Sequence, residues 1–157
     1  MKIALSSDMR TGLIDALLNE LAWRGHEVRY FGPQARGDAD ADWPVVTRQA
    51  AEQVASGEVD EAIVLCWTGT GCSIAANKVP GIRAALCHDA ETARGARVWN
   101  HANALALSLR ATPEGTLPEI LDAWFATPPG DDAWNLQQVA RVGQIERDYQ
   151  RTAEGGA

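Results

Sequence analysis

Ala62-Ile63-Val64-Leu65-Cys66-Trp67-Thr68-Gly69-Thr70-Gly71-Cys72-Ser73-Ile74-Ala75-Ala76-Asn77-Lys78 is the stretch whose reading decides the fold. The apolar run Ala62–Leu65 reads as a buried parallel strand. Two glycines among threonines then allow a tight turn, and Ser73 onward reads as the start of a helix. A strand, a glycine loop and a helix N-terminus place free N–H groups and a helix dipole where an anion would sit. A thiol stands at each end of the loop. Any reaction this chain performs is expected here.

Outward from that loop the chain alternates. Towards the N-terminus, Lys2 to Ser6 is a short strand. Leu13, Ile14, Leu17, Leu18 and Leu21 recur at helical spacing up to a stop at Gly25, and Glu27 to Phe31 is a second strand. A polar loop carrying Asp38, Asp40 and Asp42 precedes a helix opened by Pro44 and stopped at Gly57. Beyond the central loop, Arg83 to Cys87 is a strand, Asp89 a candidate N-cap for a helix to Asn100, and Ala104 to Ser108 a fifth strand. Thr112-Pro113 opens a helical region with its body at Pro118 to Phe125, and a last helix starts near Asp132.

Five strands alternating with helices predict a three-layer α/β/α sandwich, a five-stranded parallel Rossmann-like sheet with right-handed crossovers. One domain is expected over residues 1–150, with 151–157 a frayed tail. Ligands of such sheets bind beyond the C-terminal strand ends, which supply Asp8, Cys66, His88 and Arg110. The last helix has little sheet left to cover, so a second subunit is expected against it.

Composition narrows the function classes. At 157 residues, 46% hydrophobic and 22% charged, the chain is long enough for one core and has no signature of disorder. A net charge of −7 without a basic cluster argues against nucleic acid as partner. No apolar run approaches the roughly 18 residues of a membrane span, and the first residues enter a strand without a signal peptide's apolar core. Three cysteines without metal-type spacing predict a reduced, cytoplasmic protein with no bound metal.

The candidate residues each have two readings. Cys66 is either a small apolar strand-end residue or a base or nucleophile whose thiolate is favoured by loop amides. Cys72 at the helix start is similarly placed, and Cys87 reads as core. Gly69-Thr70-Gly71 lacks the third glycine of a dinucleotide fingerprint, since Ile74 stands there, and the P-loop pattern is absent, so no cofactor is expected. His26 reads as structural, and His88 is either near a site or merely exposed. His101, in a polar loop, is either a proton carrier or solvated. Trp43 and Trp67 lie in loops where an aromatic could cover a ligand, whereas Trp23, Trp124 and Trp134 read as packing residues.

These residues also form a familiar pattern. Ser7-Asp8, Asp42-Trp43-Pro44, the loop from Cys66 through Ser73-Ile74-Ala75-Ala76-Asn77-Lys78, Gly81-Ile82-Arg83-Ala84-Ala85-Leu86-Cys87, Ala93-Arg94 and Asn100-His101-Ala102-Asn103-Ala104-Leu105-Ala106-Leu107 resemble, in order and spacing, the ribose 5-phosphate isomerase B and galactose 6-phosphate isomerase family. The resemblance implies a metal-free, cofactor-free isomerase of phosphorylated sugars. It also implies a homodimer, or a dimer of dimers, with active sites at the subunit interface.

The chemistry implied is aldose–ketose interconversion through a cis-enediolate. Cys66 matches the thiolate base, and Cys72 stands where other members place a carboxylate base. The loop of Gly69, Thr70, Gly71, Cys72 and Ser73 matches the cradle for the substrate and its developing oxyanion. Asp8 matches the residue that engages the ring oxygen or a hydroxyl. Thr68 and Asn100 match sugar contacts, Arg110 a basic residue near the site, and Arg141 one phosphate contact.

Several positions depart from the family. Met9-Arg10 replaces the usual histidine and its neighbour, Trp43 replaces a tyrosine, and Trp99 stands in place of the ring-opening histidine. Gln137 occupies the position of a second phosphate arginine, for which Arg10 is a candidate substitute. Loss of one charge-assisted contact is worth about 1.5–3 kcal/mol, enough to change substrate preference without changing the reaction. The readings carried forward are an isomerase with Cys66 as base, an epimerase using the same enediolate, and a non-catalytic sugar-phosphate-binding subunit.

Overall fold

The computed structural model describes the backbone of residues 1–154, with side chains through 151. Five strands, β1 (Lys2–Ser7), β2 (Glu27–Phe31), β3 (Glu61–Cys66), β4 (Ala84–Leu86) and β5 (Ala104–Ser108), form one sheet in the order β2-β1-β3-β5-β4. Every neighbouring pair is parallel. The predicted three-layer sandwich is therefore the observed one.

Side-chain size sorts the two faces. Ile3, Leu5, Ile63, Leu65, Leu105 and Leu107 point to one face, against α1 (Gly12–Trp23), α4 (Ala90–Asn100) and α5 (Leu117–Ala126). Burial of each such aliphatic side chain contributes about 1.5–3 kcal/mol. The alternate residues Ala4, Ala62, Val64, Cys66, Ala104 and Ala106 point the other way, against α2 (Trp43–Ala55) and α3 (Thr70–Ala76). Small strand residues there meet Ala50, Ala51 and Ala76, so these two helices approach the sheet closely.

Most helix signals fall where the sequence places them. Gly25 and Gly57 take positive φ just past α1 and α2. The Asp89 side chain accepts the Thr92 N–H at 2.7 Å and caps α4. Helix α3 begins at Thr70 rather than Ser73, because Gly69 at φ +77° already turns the chain. A Cβ at Gly69 would stand 2.6 Å from Leu86 Cδ1 and 3.0 Å from the Leu107 backbone, so the early turn requires glycine. The region opened by Pro113 is a 3₁₀ turn, Glu114–Thr116, before α5 begins at Leu117.

The tryptophans divide differently from expectation. Trp124 is fully buried, but Trp23 is 82% exposed and Trp134 66% exposed. Trp134 is the second residue of α6 (Ala133–Glu154), which leans on α4 and leaves Leu136, Val142, Ile145 and Tyr149 exposed. Glu146 fixes α6 to the turn after α3 by accepting the Gly81 N–H at 2.9 and 3.1 Å. α6 runs to Glu154, which takes in the first four residues of the expected 151–157 tail, and 155–157 lie outside the described residues. No helix among the described residues is long and apolar enough to cross a membrane.

Candidate active site

The β1–β3–β5 register assembles the site. Ser7 pairs with Leu65 and Cys66 with Ser108, so Asp8, one residue past β1, emerges alongside Cys66. The Leu109 N–H donates to the Cys66 carbonyl at 3.0 Å, and the Arg110 N–H to the Trp67 carbonyl at 3.1 Å. The Ser108 hydroxyl adds a bond to the same Trp67 oxygen at 2.9 Å. The chain after β5 thus pins the turn that follows β3.

Cys66 Sγ lies inside that turn and is only 5% exposed. It accepts the Cys72 N–H at 3.4 Å. The Cys72 thiol, and then the backbone N–H groups of Cys72, Gly69 and Thr68, lower the Cys66 pKa to about 5 against the opposing effect of burial. The turn therefore favours the thiolate of Cys66 over its thiol. Cys72 is the converse: its contact with Cys66, its burial and the Cys66 charge raise its pKa far above the ordinary thiol value. Its sulfur faces the carbonyls of Gly69 at 3.2 Å and Val64 at 3.4 Å.

Asp8 is the second titratable group at this edge. Burial first, then the Cys66 charge and Asp40, raise its pKa to about 6. Its Oδ1 is buried with no hydrogen-bond partner among the described residues. The Ala41 N–H donates to the Asp8 carbonyl at 2.8 Å, which brings the acidic loop to the site. Asp40 was readable only as one of three loop carboxylates, and nothing in the sequence singles it out.

The loop amides are unequally engaged. Those of Gly69, Cys72 and Ser73 already donate to Cys66 O, Cys66 Sγ and Gly69 O. The amides of Thr70 and Gly71 have no protein acceptor among the described residues and are the two available to a ligand oxygen. Thr68 and Thr70 hydroxyls meet at 2.7 Å beside them. The Trp43 indole lies over Gly71, where an added Cβ would be 3.3 Å from its ring. Trp67, Thr68, His88 and Arg110 are exposed around this rim.

Arg10 is already occupied. Its Nε donates to Asp15 at 2.8 Å, and its guanidinium lies 5.1 Å from the centre of the Tyr30 ring. Asp15 also holds Arg36 at 2.6 Å.

The remaining candidates sit at the other end of the sheet. α4 ends at Asn100, where the chain turns into the start of β5, one strand length (about 17 Å) from the Cys66 edge. His101 caps α4 with left-handed backbone at φ 48°, and its Nε2 is 2.8 Å from the Gly130 carbonyl oxygen. Trp99 and Asn100 line an open groove of about 570 Å³ with Trp134, Asn135 and Gln138. Arg141 is exposed on α6 and donates to Gln138 at 3.1 Å. Within one chain, none of Trp99, Asn100, His101 or Arg141 reaches Cys66. Among the described residues no cluster of three or more His, Cys, Asp or Glu could hold a metal ion.

Comparison with known proteins gives a consistent result. A sequence model described as Ribose/Galactose Isomerase matches residues 3–145. The ribose-5-phosphate isomerase B of Escherichia coli is 45% identical over 106 residues, covering 68% of this chain and 70% of its own. The D-erythrulose-4-phosphate isomerase of Pectobacterium atrosepticum is 34% identical over 147 residues, covering 93% and 95%. The solved ribose-5-phosphate isomerase B of Clostridium thermocellum superposes with a TM-score of 0.88 at 40% identity, covering 95% of this chain and 99% of that one.

Proposed function

The chain belongs to the ribose/galactose isomerase family, a group of sugar-phosphate isomerases, and from that premise we propose that it interconverts a phosphorylated aldose and ketose with Cys66 as the base. The observation that carries the reading is a thiolate at a strand tip beside two unengaged amides and a carboxyl that titrates near neutrality.

In this reading the Cys66 thiolate removes the proton alpha to the substrate carbonyl. The electron pair moves onto the carbonyl oxygen, and the Thr70 and Gly71 N–H groups receive the developing oxyanion of the cis-enediolate. Asp8, with one unpartnered oxygen, accepts and returns a hydroxyl or ring-oxygen proton. Thr68 contacts a hydroxyl, Trp43 and Trp67 wall the sugar, and Arg110 is the exposed cation at this edge. The substrate is of the ribose 5-phosphate type. Relatives named for a tetrulose phosphate and for galactose 6-phosphate make four- and six-carbon analogues the comparison set.

A homodimer belongs to the same proposal. The apolar residues Leu136, Val142, Ile145 and Tyr149 of α6, and Trp99, stay exposed among the described residues. A second copy docked on this face would carry its own Trp99, Asn100 and Arg141 towards Cys66, and Arg141 would then meet the phosphate. His101, tied to Gly130, serves this reading only if that contact opens.

The test is solvent-deuterium incorporation alpha to the carbonyl, followed by NMR on tetrose, pentose and hexose phosphates. Exchange is expected in the native protein and lost in Cys66→Ala. Full exchange in Cys66→Ala removes the assignment of the base, and inversion of a centre without ketose formation would identify an epimerase instead.

A further inference from the structure

Cys72 is a buried thiol that takes no part in the bond changes of the isomerisation above. Its N–H points at Cys66 Sγ from 3.4 Å, and one N–Cα bond separates that nitrogen from its own Cα. Cys72 Cα is therefore within about 5 Å of the Cys66 sulfur. The Cys72 sulfur rests against the Gly69 and Val64 carbonyls on the same side of the sheet as Cys66. The third cysteine, Cys87, packs on the opposite face of the sheet and is out of reach. All three are free thiols.

We propose that Cys66 and Cys72 form a reversible oxidation site for hydroperoxides, which closes to a disulfide across the turn and removes the catalytic base. The loss of turnover rests on the reading of Cys66 as that base, whereas formation of the bond does not.

The chemistry takes two steps. The Cys66 thiolate attacks one peroxide oxygen; an S–O bond forms, the O–O bond breaks, and hydroxide leaves and is protonated to water. Cys66 is oxidised to a sulfenic acid by two electrons and the peroxide is reduced. The Cys72 sulfur then attacks the Cys66 sulfur; the S–S bond forms, the S–O bond breaks, and the departing hydroxide takes the Cys72 proton as a second water. Thiolate, thiol, peroxide and one proton thus become one disulfide and two waters. A dithiol reductant reverses the bond by exchange.

The second step is gated by the first. Cys72 is held protonated chiefly by its contact with the Cys66 sulfur, then by burial and by the Cys66 charge. Conversion of Cys66 to a neutral sulfenic acid removes that charge, so the resolving thiol is released only after the reactive one has been oxidised.

Mass spectrometry decides the matter. Cys66 and Cys72 lie in one tryptic peptide, Gln49–Lys78, and Cys87 in another, Ala84–Arg94. After hydrogen peroxide treatment and alkylation under denaturing conditions, Gln49–Lys78 is expected about 2 Da lighter and unalkylated, with Cys87 alkylated. Isomerase activity falls in step and returns with dithiothreitol. In Cys72→Ser the same treatment is expected to add about 32 Da at Cys66, as sulfinic acid, with no recovery. A native protein that gains about 32 Da at Cys66 while Cys72 stays alkylatable overturns the proposal. Should Cys72→Ser not fold, the native peptide map decides alone. A disulfide in a protein that turns over no sugar phosphate upholds the oxidation site and removes the isomerase reading.

Discussion

The two ends of β3 both bury an acidic group, and the protein treats them oppositely. At the start of the strand, Glu61 accepts the Trp124 indole N–H at 2.6 Å and pairs with Arg97 at 2.8 Å. Arg97 also lies 5.0 Å over the Trp124 ring. Burial raises the Glu61 pKa, while Arg97 and Trp124 oppose the shift. At the far end, the Cys66 thiolate is held by a thiol and backbone N–H groups, with no cation among the causes of its shift, and Asp8 keeps one oxygen unpartnered. A buried charge whose partners are complete stabilises a fold. A buried charge left incomplete is available for a ligand.

The largest expected effect separates those roles at the Cys66 end. Cys66→Ala is expected to lower kcat/KM by about 10³-fold or more, the upper range for loss of a positioned base. The midpoint of urea unfolding should move little, because alanine suits the small-residue face that Cys66 shares with Ala62 and Ala106. A large loss of stability with only modest loss of rate would reverse the assignment of the two ends.

Glu61→Ala is the complementary experiment. It strands Arg97 and the Trp124 N–H in the core, and breaking a buried pair in this way costs about 3–5 kcal/mol. Urea unfolding measures the loss, while kcat/KM per folded molecule is expected to stay near the native value. A matching fall in kcat/KM would show that the two ends are coupled through the strand.

The comparison also explains which features the sequence disclosed. Alternating apolar runs, Gly25, Gly57 and the Asp89 cap act over a few residues, so the elements were legible. The glycine loop and its thiols were legible as chemistry for the same reason. Strand order and the pairing of Ser7 with Leu65 arise between distant segments, so the closeness of Asp8 to Cys66 was only an inference from sheet class. The tryptophans misled because size favours burial only where a surface is available. Trp124 found Glu61 and Arg97 to pair with in the core, whereas Trp23 and Trp134 sit on exposed helix faces, Trp23 with only the Arg24 guanidinium over its ring. Arg10 looked free for an anion because Asp15, five residues on, gives no local sign of bonding to it.

A third prediction tests whether the site is complete within one chain. Ile145→Asp places a charge on the exposed apolar face of α6, where Ile145 is 58% exposed and little intramolecular packing is lost. The expected outcome is a shift from dimer to monomer in sedimentation velocity, with activity falling together with the dimer fraction as the protein is diluted. Full activity in a monomer would place the whole site at the Cys66 edge and remove Trp99, Asn100 and Arg141 from it.

The smallest effect is electrostatic. Burial raises the Asp8 pKa first, and the Cys66 charge adds to it, bringing the carboxyl to about 6. Cys66→Ser removes the charge and leaves the burial, so the Asp8 titration is expected to move towards, but not reach, its ordinary value. Carbon-13 NMR of labelled aspartate reads the shift without turnover. The sign for activity follows from the same two groups. The Cys66 thiolate forms as pH rises through about 5, so the acid limb of kcat/KM belongs to Cys66. Deprotonation of Asp8 near 6 then converts it from a proton donor to an acceptor. Asp8→Asn should therefore remove a titration near 6 from the profile while leaving the limb near 5, and an unchanged limb near 6 would assign that proton to another group.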